Sequence, residues 1–203
     1  MTVTRERFEQ GMTYDAYKAQ MTRNRDRLEE NERSLELPAE EIAFFTQLPE
    51  RVHALVITED WCGDAMNNIP VLARLAEESG KLDLRFFLRD QNLDITDQYL
   101  KDGQHRSVPT FVFFDGDFRE LGYWIERPAV ISGLMGQAIG ELYATDPAMQ
   151  GVEPGMSPAL MPEAARNRMM QFFGEFRART RAQSDSEVVR EIRELIAAGL
   201  PKA

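Results

Sequence analysis

The chain has 203 residues, 43% of them hydrophobic, and a formal net charge of -10, with 24 Lys and Arg against 34 Asp and Glu. That length buries one sizeable core, so a single domain with terminal extensions is the leading expectation and two small domains the second. The acidic balance argues against nucleic acid or an anionic membrane as a partner, because both require clustered cations to neutralise phosphates.

No apolar run approaches the ~20 residues that span a bilayer, and the polar start, Met1 to Asp15, lacks a signal peptide's apolar stretch, so a cytoplasmic location is expected. The single cysteine, Cys62, excludes an internal disulfide, an internal dithiol and a cysteine-based zinc knuckle. Whatever this thiol does requires an outside partner.

In chain order, Thr13 to about Glu32 carries Tyr14, Tyr17, Met21 and Leu28 near helical period and reads as one amphipathic surface helix. A second helix starts at Pro38, with Ile42, Phe45 and Leu48 as its apolar stripe, and closes at Pro49. Val52 to Ile57 reads as a buried strand, interrupted by His53 and followed by the turn-like Thr58-Glu59-Asp60. After Trp61 and Cys62, the spacing of Met66, Ile69, Leu72 and Ala76 predicts a helix stopped by Gly80 and kinked at Pro70.

Leu82 to Leu88 reads as a strand, Ile95 to Leu100 as a short helix ended by Gly103, and Thr110 to Phe114 as another strand. Asp115-Gly116-Asp117 then leads into Phe118 to Trp124 as a hairpin, which makes its strands antiparallel neighbours in a mixed sheet. A helix is expected from Pro128 to about Tyr143, weakened by Gly133, Gly136 and Gly140. Asp146 to Pro162, rich in Pro, Gly and Met, reads as a linker or extended arm. Two helices follow, the last opened by the capping signature Ser184 and Glu187 and ended at Gly199.

A cysteine at the start of a helix meets unpaired backbone N–H groups and the positive end of the helix dipole, both of which favour thiolate. Trp61 can shield one side, Gly63 leaves the backbone open to an approaching sulfur, and the carboxylates of Glu59, Asp60 and Asp64 oppose ionisation. The bland reading of Asp64 is a first-turn carboxylate complementing the dipole. His53 and His105 have no neighbours of a metal site and read as packed or solvated residues, so no metal and no cofactor are expected. Met149, Met156, Met161, Met169 and Met170 read as fillers of irregular apolar contacts, and Phe172, Phe173 and Phe176 as cover for the core or a subunit interface.

Strand, Trp61-Cys62-Gly63, a helix with Pro70, Asp90-Gln91-Asn92, Arg106-Ser107-Val108-Pro109-Thr110 and Gly122 together resemble the thioredoxin family, over roughly Pro49 to Tyr143. The phrase Thr58-Glu59-Asp60-Trp61-Cys62-Gly63-Asp64-Ala65 is similar to a bacterial branch of thioredoxin-like proteins with a single-cysteine site. The resemblance implies an α/β thioredoxin fold, with a mixed central sheet flanked by helices at 49–145, an N-terminal helical extension at 1–48, and an arm with C-terminal helices at 146–203. It also implies that Pro109 is cis and that Val108 and Pro109 form the backbone platform facing Cys62.

Two departures shape the expected chemistry. The family's second cysteine is Ala65 here, and its buried acid, six residues before the first cysteine, is Val56. A monothiol can attack a disulfide but needs an outside thiol to be released. The leading expectation is therefore thiol-disulfide exchange through Cys62, with Trp61, Gly63, Asp64, Val108 and Pro109 as binding residues. The partner is a protein or a low-molecular-weight thiol or disulfide, and the oligomeric state is left open, a homodimer among the options. The alternative is a non-catalytic thioredoxin-fold module that holds a peptide or partner protein. A cluster-ligating monothiol is a third reading, disfavoured because Trp61 and Asp64 do not match such sites.

Overall fold

The apolar run at Val52 becomes the central strand of a sheet in the computed structural model, which describes residues 3–157 and 159–201. Every residue of β1 (Val52–Thr58) except His53 is buried, as a strand covered on both faces requires. β2 (Leu82–Leu88) pairs with β1 in parallel, β3 (Thr110–Phe114) pairs with β1 antiparallel, and β4 (Glu120–Ile125) pairs antiparallel with β3. The result is a four-stranded mixed sheet in the order β2-β1-β3-β4. The hairpin expected at Asp115-Gly116-Asp117 joins β3 to β4. The buried Asp115 carboxylate holds it, accepting N–H groups of Asp117 (3.0 Å) and Arg119 (2.8 Å) and the Arg119 guanidinium (2.8 Å). Burial opposes the charge on Asp115, yet these donors outweigh it and hold the carboxyl below its usual range.

Contacts divide the chain into two compact units, one holding the residues up to Arg127 together with those from Asp185 onward, the other Pro128–Ser184. In the first unit, short helices α1 (Arg5–Glu9) and α2 (Tyr14–Gln20) lead to α3 (Arg25–Ser34) and α4 (Ala39–Thr46). The single helix expected over Thr13 to Glu32 is thus broken. The cause is tertiary: one oxygen of the Asp60 carboxylate takes the Thr22 N–H (2.7 Å), the Thr22 hydroxyl (3.0 Å) and the Arg23 N–H (3.0 Å). Asn24, in a left-handed conformation, donates its amide to the Asp60 carbonyl (2.8 Å).

Helix α5 (Gly63–Ser79) packs on α3, α4 and β2 and ends at Gly80 as expected. Pro70 lies inside it and has no N–H to offer the Met66 carbonyl one turn back. Asn31 of α3 supplies the missing donor, its Nδ2 lying 2.8 Å from that carbonyl. Replacing Asn31 with Ala orphans a carbonyl in a buried helix and should cost about 1–3 kcal/mol, measured as a lower denaturant midpoint with an unchanged slope.

The short helix expected at Ile95 to Leu100 lies earlier, at Leu93–Thr96 (α6). It starts where the Asn92 side chain folds back onto the Leu88 carbonyl (2.7 Å).

Ala129–Thr145 forms α7 and Glu163–Gly199 forms α8. The second unit has its own apolar cluster, in which Ile131, Met135 and Leu142 of α7 meet Met149, Val152 and Met161 of the intervening segment and Met169, Phe172 and Phe176 of α8. The segment read as an arm is therefore folded into a core, where its own Met149 and Met161 and the α8 residue Met169 are buried and Met156 packs partly buried, while Met170 is exposed.

The two C-terminal helices expected from the sequence are one. Positions 172, 176, 188, 192 and 196 keep a four-residue step through the signature at Ser184, so Ser184 and Asp185 are buried in a continuous helix rather than capping a new one. The part of α8 from Asp185 onward belongs to the first unit, where Val188, Val189, Ile192 and Ile196 join the apolar cluster of the sheet. Trp124 of β4 donates its indole N–H to Glu191 (2.7 Å). Gly122, at φ 143, lies so close to Leu195 that a Cβ would come within 3.2 Å of it. Gly199 ends α8 against the Leu121 carbonyl, where a Cβ would fall at 2.6 Å.

Candidate functional site

β1 delivers the chain to a tight turn whose Cys62 N–H bonds the Glu59 carbonyl (3.2 Å), and Cys62 then occupies the N-cap of α5 in an extended conformation. Cys62 as a whole is 9% exposed, and its Sγ donates to the Val108 carbonyl at 3.1 Å. The Val108–Pro109 peptide bond is cis, and both residues are buried. Cys62, Val108 and Pro109 are therefore in one place, although 46 residues separate the thiol from its acceptor.

Trp61 is 43% exposed, with the Arg89 guanidinium 4.9 Å from its ring. Arg89 also bonds Asp90 (2.9 Å) and the Arg106 carbonyl (3.2 Å). An open cleft of about 760 Å³, lined by Arg89, Asp90, Gln104, His105, Arg106 and Ser107, borders the backbone that leads into Val108. Gly63 is half-buried at the first helical position.

The three carboxylates expected to oppose the thiolate are each engaged elsewhere. Glu59 accepts the Asp90 N–H (2.9 Å), and Asp60 anchors the α2–α3 break described above. Asp64, buried in the first turn of α5, pairs with Arg127, whose Nε lies at 3.1 Å and whose terminal amine makes a second, shorter contact. Burial works against the Arg127 charge, but Asp64, Glu126 and Cys62 outweigh it and raise its pKa above the usual value.

Arg127 is the residue that the sequence did not disclose. It lies 63 positions from Asp64, and a charged pair just after a strand reads as solvated loop. The loop is tied down on both sides: the Glu126 N–H donates to the Pro109 carbonyl (2.7 Å), Asn68 donates to the Glu126 carbonyl (2.8 Å), and Lys101 pairs with the Glu126 carboxylate.

From α2, Tyr17 reaches the same region, its hydroxyl 3.5 Å from Thr58 Oγ1, and burial pushes its phenol up to about 12. Ala65 and Val56, which the thioredoxin resemblance places at the second cysteine and the buried acid, are both fully buried. His53 packs between Phe8 and Phe118 and bonds Asp83 (3.2 Å). Among the described residues no group of three His, Cys, Asp or Glu side chains is placed to hold a metal ion, and no helix is long and apolar enough to cross a membrane.

A mixed sheet with a cysteine capping the helix after its central strand, opposite a cis proline, defines a thioredoxin-fold protein with one thiol. A thioredoxin family model matches residues 11–142, and the chain belongs to that family. Two solved structures align over nearly the whole chain. One is a protein of unknown function from Pseudomonas aeruginosa, 15% identical with a TM-score of 0.66, covering 98% of this chain and 100% of that one. The other is an HIV epitope scaffold, 14% identical with a TM-score of 0.61, covering 94% of each. Identities this low show a shared fold. The germline-specific thioredoxin Deadhead of Drosophila aligns with 51% of this chain and 90% of its own, at 21% identity and a TM-score of 0.32. No curated protein matches the sequence.

Proposed function

We propose that the protein is a monothiol exchange protein in which Cys62 attacks a disulfide and an outside thiol completes the cycle. The observation that carries this reading is the placement of Cys62 Sγ at a helix N-cap, 3.1 Å from the carbonyl preceding the cis proline. There the helix end favours negative charge on sulfur, while the Val108 carbonyl that accepts the S–H favours the neutral thiol, so exchange requires the helix end to outweigh it. In the first step the Cys62 thiolate bonds one sulfur of the incoming disulfide, and the other leaves as a thiolate. A second thiolate, from a low-molecular-weight thiol or a partner protein, then attacks the sulfur held by Cys62. A new disulfide departs and Cys62 returns as thiolate, with no net change in oxidation state.

Val108 and Pro109 supply the wall against which the partner lies, and Trp61 covers one side. With Ala65 and Val56 where a dithiol site has its second sulfur and its acid, the second step has no internal route. Iodoacetamide labelling of the native protein across pH tests the first step: the expected midpoint lies below about 8.5, the value of an unperturbed cysteine. A midpoint at or above that value overturns the activated thiol.

The 9% exposure of Cys62 favours a second reading, a groove that binds a peptide or partner protein without exchange. Cys62→Ser separates the two. Partner capture that survives the substitution supports the binding groove, and capture lost with the sulfur supports exchange.

A further inference from the structure

The polar contacts around Cys62 close into a ring. Sγ reaches the Val108 carbonyl (3.1 Å), the Pro109 carbonyl takes the Glu126 N–H (2.7 Å), Arg127 pairs with Asp64, and Asp64 lies in the first helical turn, two residues after the cysteine. Only one member of this ring is cationic. Without it, the buried Asp64 carboxylate would lose a cation beside a sulfur that must itself become negative, in surroundings where charges are poorly screened.

We propose that Arg127 is the positioning residue of the thiol site: it neutralises Asp64 in the first turn of α5 and fixes the Glu126 loop to the Val108-Pro109 wall, which keeps Cys62 ionisable at neutral pH. This assignment rests on the reading of Cys62 as an exchanging thiol. The other charged or titratable groups facing the site have partners of their own. Glu59 is bonded to the Asp90 N–H, Asp60 to Thr22 and Arg23, and Glu126 to Lys101, while Tyr17 from α2 is neutral at physiological pH and Arg89 lies on Trp61. Asp64 is the acid that Arg127 pairs with most closely, and Glu126 lies 3.5 Å from the same guanidinium.

Opposite signs are expected from the two halves of the pair. Removing the cation with Arg127→Met should raise the pH midpoint of iodoacetamide labelling by about one unit, because one attractive charge is lost and one repulsive charge exposed. At neutral pH that is a roughly tenfold slower reaction. Removing the anion with Asp64→Asn leaves Arg127 paired with Glu126, at 3.5 Å, so that its charge is less compensated near the sulfur, and should lower the midpoint. Arg127→Lys keeps the charge and should stay near wild type, and the double variant should return toward it.

The experiment is the full-length protein labelled across pH, with circular dichroism confirming that each variant is folded. If Arg127→Met does not fold, the comparison of the double variant with Asp64→Asn carries the test: the double variant should have the higher midpoint, and equal midpoints overturn the role of Arg127. A common direction of shift in both single variants, or midpoints equal to wild type, overturns the role of Arg127 wherever the wild-type midpoint lies. A wild-type midpoint at or above about 8.5 overturns the activated thiol instead, so the two failures are distinct.

Discussion

Phe86→Ala should destabilise the first unit by about 3–5 kcal/mol, the cost of deleting a buried aromatic ring from a packed core. Phe86 is 1% exposed on β2 and stacks on both Tyr14 and Tyr17, with ring centroids 5.1 Å away in each case. Its backbone also pairs with Met12, with N to O distances of 2.8 and 2.9 Å, so the residue joins the N-terminal helices to the sheet through main chain and side chain together. Loss of the ring should therefore do more than open a cavity. It should release α2, and with it the Thr22 and Arg23 donors that hold the Asp60 carboxylate. The expected observations are a denaturant midpoint well below wild type and faster hydrogen exchange in α2 and α3 than in α5. Equal exchange in all three helices would show that the N-terminal segment is held by something other than this stack.

The same contacts explain what the sequence disclosed and what it withheld. The strands were legible because β1 and β3 are buried on both faces, so their apolar runs are nearly unbroken and their length excludes helices. The juxtaposition of Cys62 with Val108-Pro109 was legible because Trp61-Cys62-Gly63, Pro70 and Val108-Pro109 occur in the order of the thioredoxin resemblance. The break between α2 and α3 was not, because residues 21–24 carry no local breaker and bend toward an acceptor, Asp60, about forty positions ahead in the chain. Continuity through Ser184 was hidden for the opposite reason. A capping signature is a local competitor, and here burial of a four-residue stripe along α8 outweighs it. Arg127 was hidden because an ion pair between a helix start and a distant loop leaves no periodicity in the sequence.

If Cys62 exchanges as proposed, introducing a second thiol with Ala65→Cys should convert a site that stalls as a mixed disulfide into one that releases its partner unaided. Ala65 is fully buried in the first turn of α5 and lies three residues after Cys62, the N-cap of that helix, the spacing of a Cys-X-X-Cys pair. In the wild type, a mixed disulfide between Cys62 and an aromatic disulfide probe should persist until an outside thiol is added. In the variant the neighbouring sulfur attacks instead, the probe leaves as its thiolate, and an internal disulfide remains.

Intramolecular attack of this kind corresponds to effective concentrations far above any added thiol, so the adduct's lifetime should fall by at least ~100-fold relative to wild type in about 1 mM outside thiol, followed by intact-protein mass spectrometry. Val56 offers no acid to assist the new thiol, so the release rate should climb with pH toward about 8.5, where an unassisted cysteine ionises. An adduct that persists equally in both proteins would mean that position 65 does not share the opening through which Cys62 reacts, and the stall would then have a cause other than the missing sulfur.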